Sequence, residues 1–370
     1  MKILFLTPGI VNYNCDINFY EPLKKFCDST LYFNYKKEMI KYGQEVMNEK
    51  LLQLVKDEKP DYVFWHTGRH EILLKTLRLI RKNGTKIIAW FSDDHWRFDN
   101  YSKRFINHFD YAITTDEQTI ERYKQLGARV IHCQWATNQR FYKKLPLKLK
   151  YDVTFLGQCY GDRKDYLEAI KRAGVDLHIF GRASGHYLEF EETIKLFNQS
   201  KINLNFSSSS QGSHIKQIKA RVFEISMSGG FLLTEYAPYL ENYFKINKEI
   251  VCFSTPAEAI DKIKYYLIHE EERLKIAEAG CQTALARHSW DQRIRKIFTE
   301  IEKFERVERD QPNLNTKSKK DFYEIKEDLE IKFKSLFILF HWFKNLLMRG
   351  KRFLFKKLIV MSHSRSDSND

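Results

Sequence analysis

Short apolar runs alternate with longer amphipathic stretches along most of the chain, and the alternation predicts the elements. "KILFLT" (2–7) reads as a buried strand and residues 36–57 as a long helical stretch. "DYVFWH" (61–66) precedes the helical "EILLKTLRLIRKNG" (71–84), with Gly84 where a helix C-cap belongs. "KIIAWF" (86–91), "YAITT" (111–115) and "ARVIHCQWA" (128–136) read as further strands, with "DEQTIERYKQLG" (116–127) as a helix. Strands that are apolar throughout, separated by helices, mark a parallel sheet covered on both faces.

A second series starts at "YDVTFLG" (151–157). "DLHIFG" (176–181), "KINLNFS" (201–207), "FLLTE" (231–235) and "IVCFST" (250–255) are strands. "DRKDYLEAIKRAG" (162–174), "ARVFEISMSGG" (220–230) and "PAEAIDKIKYYLIH" (256–269) are helices, the last with Pro256 at its start. "LEFEETIKLFNQS" (188–200) also reads as a helix, one without a Ser-initiated capping box. "WDQRIRKIFTEIEKFERV" (290–307) is a last long helix. The expected fold is α/β: two doubly wound Rossmann-like domains facing a cleft, followed by a helical tail. The expected boundaries are 1–145, 146–290, a crossing helix at 291–307, a polar linker at 308–330 and a basic amphipathic tail at 331–370.

In open parallel sheets, ligands bind beyond the carboxyl ends of the strands, so the polar residues there become candidates. "FSDDHW" sets Asp93, Asp94 and His95 after "KIIAWF". Asp94 or His95 could orient or deprotonate a substrate hydroxyl; the plainer reading is a helix N-cap. His66 ends the preceding strand, and Gly9 in "LTPG" would let a loop approach phosphates. In the second series the polar loop Ser207–Ser213 leads to Lys219, Arg221 and Glu224 at the head of a helix. Amides at a helix N-terminus together with cations make an anion site. Glu224 could accept hydrogen bonds from the paired hydroxyls of a ribose; otherwise it is an acid favoured by the helix dipole.

Charge agrees with an anionic partner. Lys and Arg number 62 against 48 acids, a net charge of +14 over 370 residues. The six cysteines are scattered without C-x-x-C spacing, which argues against zinc or a disulfide framework and for a reduced, cytoplasmic setting. Asp93 and Asp94 alone are too few to indicate a metal. The start "MKILFLTPG" lacks the features of a signal peptide, and no run is long and apolar enough to span a membrane. Residues 331–361 carry eight Lys/Arg and no acid among short apolar runs. That composition suits an interfacial helix pair on the anionic inner face of a membrane; a helix packed on another subunit, or a disordered terminal segment, would read similarly.

The block "ARVFEISMSGGFLLTEYAPYLENYF", followed by "KEIVCFSTPAEAIDKIKYYLIHEEERLKIAEAG" and "RHSWDQRIRKIF", resembles the C-terminal half of CgeB-type, group 1 glycosyltransferases. "DVTFLGQCYGDRKDYLEAIKRAGVDLHIFGR" and "WFSDDHWRFD" are similar to the same family, and the likeness covers most of residues 60–300. It implies the GT-B fold and a nucleotide-diphosphate sugar held mainly by the C-terminal domain. It also implies transfer with retention, no cofactor and no essential metal. By position, Glu224 matches the acid that binds the donor ribose, and Arg163 a diphosphate-binding cation for which Lys164 could substitute. Lys216 stands where many relatives place a sugar-contacting glutamate, so sugar recognition must differ, with His214 as a candidate contact. The expected acceptor is a glycan or a lipid-linked molecule. The rival readings are a basic two-domain module binding nucleic acid, which lacks a clustered basic aromatic motif outside the tail, and a GT-B-type nucleotide-sugar epimerase.

Overall fold

A computed structural model describes residues 1–9 and 15–310. Six parallel strands form the first sheet: β1 (Lys2–Thr7), β2 (Ser29–Asn34), β3 (Tyr62–His66), β4 (Lys86–Phe91), β5 (Tyr111–Thr114) and β6 (Val130–His132). Their spatial order is β2-β1-β3-β4-β5-β6. The central strands are apolar because helices cover both faces; in β4 every residue after Lys86 is buried. β2 escapes the sequence pattern because it lies at the sheet edge, where only one of its six residues is buried.

The second sheet contains β7 (Tyr151–Leu156), β8 (Leu177–Phe180), β9 (Ser200–Asn205), β12 (Leu232–Glu235) and β13 (Val251–Phe253). These five strands are parallel in the order β13-β12-β9-β7-β8. Between β9 and β12 the polar loop folds into a small antiparallel hairpin, β10 (Ser208–Ser209) with β11 (Gly212–Lys216). The chain order reverses around β1 in the first sheet and around β7 in the second. Such reversals open crevices at the strand C-termini.

The helices follow the predicted order with local differences. The stretch expected as one helix over 36–57 is two, Tyr35–Tyr42 and Gln44–Glu58, broken at Gly43. Gly84 follows helix Leu74–Lys82 with φ +87° and donates its N–H to the Arg81 carbonyl, as the C-cap reading requires. Helix Phe190–Gln199 lacks the Ser-initiated box, as expected, but has a capping box built on glutamate. Glu189 accepts from the backbone three residues on, and Glu192 accepts from the Glu189 N–H at 2.9 Å. A glutamate at the N-cap performs what serine usually does.

Helix Trp290–Asp310 returns to the first sheet. Trp290, Ile294, Ile297, Phe298 and Ile301 form one stripe and join Ile3, Phe64, Trp90 and Ile113 in a common core. Farther along, Glu305 accepts from Tyr62 and Lys86, each at 2.7 Å, and from Tyr111 at 3.1 Å. Where this helix starts, the chain runs beside the segment that left β6. Thr137 donates its N–H to the His288 carbonyl and accepts from the Trp290 N–H, a parallel bridge to Ser289. Most of the expected linker and all of the basic tail lie outside the described residues. No described helix is long and apolar enough to cross a membrane.

Candidate functional site

The first sheet contributes the turns after β1 and β4. Gly9 has φ +61°, a left-handed conformation that favours glycine, and a Cβ there would press on the Asn34 side-chain amide at 2.5 Å. After β4 the two aspartates part. Asp93 faces the cleft between the sheets. Asp94 begins the short helix Asp94–Arg97 and points inward, accepting hydrogen bonds from Ser102 and, at 2.9 Å, from Tyr123. Only 2% of Asp94 is exposed, and burial pushes its carboxyl up to about 7 against those hydrogen bonds. The expected catalytic role for Asp94 therefore meets a carboxylate turned into the core, and Asp93 is the acid that reaches the cleft. His95 borders the cleft. Burial, with Lys219 nearby, pushes it down to about 3, which leaves a neutral imidazole whose Nε2 has no hydrogen-bond partner among the described residues. His66 is an interior residue. Its ring stands edge-on to Phe19 at 5.1 Å, and burial lowers it to about 4. A candidate at the end of a strand, it points to the packed side of the sheet and borders neither cleft cavity.

The second sheet supplies the cations. Arg163 opens helix Arg163–Arg172 and is 5% exposed. Its guanidinium donates to the carbonyls of Ser208 (2.6 Å), Gln158 (3.2 Å) and Phe206 (3.3 Å), and to the Ser208 hydroxyl (3.2 Å). It also stacks on Tyr160 at 3.9 Å. Arg163 thus ties the loops after β7 and β9 together while bordering the cleft. Lys164 is exposed and lies 3.6 Å from Glu168, away from the cavity.

Glu224 sits in the second turn of helix Ala220–Met227, beyond the reach of the amide dipole invoked in the plainer reading, and is 2% exposed. It accepts from Arg221 at 2.6 Å and from Tyr142 at 3.1 Å, and burial outweighs both in raising its carboxyl. Lys219 precedes the same helix, and its ammonium makes no hydrogen bond or ion pair among the described residues. Burial lowers it to about 7, with Asp93 and Glu235 opposing and Arg163 reinforcing the shift.

Glu235 ends β12 and organises the polar loop. It accepts from the N–H groups of Ser207 (2.9 Å) and Ser208 (3.1 Å) and pairs with Lys216. It went unread in the sequence, although an acid closing the apolar run "FLLTE" is the same signal that marked Asp93.

Two adjoining cavities open between the sheets. The larger, about 840 Å³, is bordered by Gly9, Asp93, Arg163, Lys219, Arg221 and Glu224. The smaller, about 290 Å³, is bordered by His95, Asp116, Glu117, His214, Lys216 and Tyr239. Gln217 borders both. Eight of the ten expected site residues therefore line this pair of cavities, and only Asp94 and His66 do not. A wall with three cations, one buried carboxylate and two helix N-termini is chemically suited to a diphosphate attached to a vicinal diol. Among the described residues no group of three or more His, Cys, Asp or Glu is placed to share a metal ion.

Residues 163–299 match the family model described as glycosyl transferase-like, a span that takes in most of the second sheet and the first half of the terminal helix. No curated protein matches the chain. Among solved structures, Anabaena Alr3699/HepE in complex with UDP-glucose is 12% identical, covers 82% of this chain and 99% of its own, and superposes with a TM-score of 0.59. Sucrose-phosphate synthase from Thermosynechococcus elongatus is 8% identical, with coverage of 83% and 100% and a TM-score of 0.61. A glycosyltransferase from Rickettsia africae is 12% identical, with coverage of 82% and 98% and a TM-score of 0.58. The fold is GT-B. In this GT-B chain the cavities described above lie where the C-terminal ends of the two parallel sheets meet, and the helix from Trp290 crosses back to the first sheet.

Proposed function

We propose that the chain is a glycosyltransferase that moves a sugar from a nucleotide-diphosphate donor to a hydroxyl of a glycan or lipid-linked acceptor. The observation that carries this reading is the larger cavity. It sets a buried carboxylate, Glu224, beside three cations, Arg163, Lys219 and Arg221, and opposes them with Gly9 and Asp93 from the other sheet. The glycosyl transferase-like match and the UDP-glucose bound to a structural neighbour support it.

In this reading Glu224 accepts hydrogen bonds from the ribose, held in place by Arg221 and Tyr142. The diphosphate lies against Lys219, Arg163 and the N-terminal amides of the two helices. When the anomeric C–O bond breaks, the diphosphate leaves with the electron pair. Fixed cations that meet the growing charge lower the barrier without reorganising. Lys219 suits this, because its ammonium is not engaged by the protein. The acceptor oxygen bonds the anomeric carbon, and its proton passes toward the departing diphosphate. In this reading Asp93, which borders the cavity, orients that hydroxyl in place of Asp94. Charge stabilisation by lysine and arginine gives a route that needs no metal, and the resemblance to group 1 transferases carries retention.

The test is a thermal-shift panel of UDP, GDP and ADP and their sugars, followed by assay for nucleoside diphosphate release. A ligand at about 100 times its Kd should stabilise the fold by ~2.7 kcal/mol. Absence of stabilisation by all of them refutes the reading. Conversion of the sugar within an intact nucleotide-sugar would instead favour the epimerase.

A further inference from the structure

The smaller cavity carries its own chemistry. At about 290 Å³ it is at the lower end of the ~300–1,000 Å³ typical of ligand pockets, room for a single ring rather than a nucleotide. Both sheets wall it: His95, Asp116 and Glu117 from the first, His214, Lys216 and Tyr239 from the second. Its lining holds more acids than unpaired cations, although Arg122, itself paired with Asp99, acts on Asp116 from outside the lining. Lys216 is already paired with Glu235, so it does not offset the carboxylates of Asp116 and Glu117. Asp116 accepts from the Gln118 N–H at 3.1 Å through one oxygen. Glu117 accepts from Asn242 at 3.2 Å and Tyr243 at 3.4 Å, and lies 4.0 Å from His132. His95 presents a buried Nε2 without a partner among the described residues.

Tyr239 is the unusual member. It adopts φ +67°, a left-handed conformation uncommon for a bulky side chain, and remains 39% exposed beside the recess. Backbone strain of this sort persists where the surroundings impose it, and here it sets an aromatic residue at the border of a cavity rich in hydrogen-bond acceptors. An aromatic face beside carboxylates is complementary to a ring with an apolar C–H face and an equatorial fringe of hydroxyls.

We propose that the smaller cavity binds one uncharged, hydroxyl-rich sugar ring, stacked on Tyr239 and donating its hydroxyls to Asp116 and Glu117, and that it rejects sugars bearing carboxylate or phosphate. This deepens the glycosyl-transfer reading and rests on it. The ring belongs either to the donor sugar or to the terminal sugar of the acceptor, and the kinetics separate the two.

The experiment uses the full chain and begins with the nucleoside diphosphate that binds in the thermal-shift panel. Its glucose and glucuronate conjugates are compared as donors, and methyl glucoside and glucose 6-phosphate as acceptors or competitors. The charged member of at least one pair should be weaker by about tenfold or more. Tyr239→Gly relieves the left-handed backbone, so it should fold, yet it should raise KM for one sugar substrate by about tenfold with nucleoside diphosphate affinity unchanged. Tyr239→Phe should restore that KM. A rise confined to the donor KM assigns the ring to the donor; a rise confined to the acceptor KM assigns it to the acceptor. Asp116→Asn with Glu117→Gln should admit the charged sugar. If the nucleoside diphosphate binds but Tyr239→Gly shifts neither KM, or charged sugars serve as well as neutral ones, the sugar-ring assignment is overturned. Absence of any nucleotide binding overturns the glycosyl-transfer reading and this assignment with it.

Discussion

Lys219 offers the sharpest test of the proposed donor site, because its charge should depend on pH in a range open to binding measurements. Burial holds the free lysine at about 7, well below the ~10.4 of an exposed one. Asp93 and Glu235 pull upward and Arg163 pushes down, so the anion that would restore the charge is the ligand itself. A phosphate charge about 4 Å away, at an effective dielectric near 20, contributes ~4 kcal/mol, or about three pKa units. The cleft is open to water, so half of this is a fairer figure, which places the complexed lysine near 8.5. The sign follows. The ligand favours protonated lysine, so affinity is fully present below about 7 and is lost as pH rises through the free and then the complexed value. Between pH 7 and 9 nucleoside diphosphate affinity should fall about tenfold, equivalent to ~1.4 kcal/mol. A terminal phosphate with pKa near 6 is already ionised across most of that window and would bend the curve the other way. Calorimetry at pH 8 in buffers of different ionisation enthalpy should show a substantial fraction of a proton taken up on binding. Lys219→Met keeps the length, removes the charge, and should abolish both the uptake and the slope. A flat pH profile in the parent protein, or an unchanged slope in Lys219→Met, refutes the reasoning.

Glu224→Gln preserves an acceptor for Tyr142 and should weaken nucleotide binding by about 1.5–3 kcal/mol in calorimetry. Glu224→Ala should cost a further ~1–3 kcal/mol of stability in urea, because the buried Tyr142 hydroxyl loses its partner. Arg163→Lys cannot reproduce the fork onto Gln158, Phe206 and Ser208, so chemical denaturation should show a loss of about 2–3 kcal/mol, whereas Lys164→Ala should be silent. Asp94 has its folded pKa raised to about 7 from 3.8, so it contributes stability that is full below about 4 and lost as pH rises through 7. Asp94→Asn should flatten the decline in Tm over that window and leave transfer intact; loss of transfer with unchanged nucleotide binding would return Asp94 to the acceptor side.

The central strands were legible because burial on both faces leaves an unbroken apolar run, as in "KIIAWF" and "KILFLT". The same rule hides an edge strand. "STLYFN" has an apolar run of only three residues and just one buried position, Phe33, so β2 is visible only once β1 is there to pair with it in register from Lys2 with Ser29 to Thr7 with Asn34. The hairpin β10–β11 was hidden for a related reason. Its serines carry no apolar pattern, and the N–H groups of Ser208 and the preceding Ser207 are satisfied by a carboxylate 27 and 28 residues away, Glu235.

Side-chain direction is the other thing that pattern alone does not carry. Asp93 and Asp94 are neighbours at one strand-to-helix turn, and the rule that strand C-termini face the cleft selects both. The turn separates them: one carboxylate meets the cavity, and the next meets Ser102 and Tyr123 in the core. The position of Lys216 makes the same point about charge. Read along the chain, a lysine where relatives have a sugar-contacting glutamate looks like an added cation in the sugar site. In three dimensions Glu235, 19 residues on, takes up that ammonium while also binding two loop amides. The lysine then serves as a brace for the hairpin, and the acidic character of the recess passes to Asp116 and Glu117 on the opposite sheet. On the sugar-ring proposal, the carboxylates that would meet sugar hydroxyls stand on the opposite side of the cleft from Lys216, so the sugar selectivity of this chain should be sought in residues 116, 117 and 239 rather than at position 216.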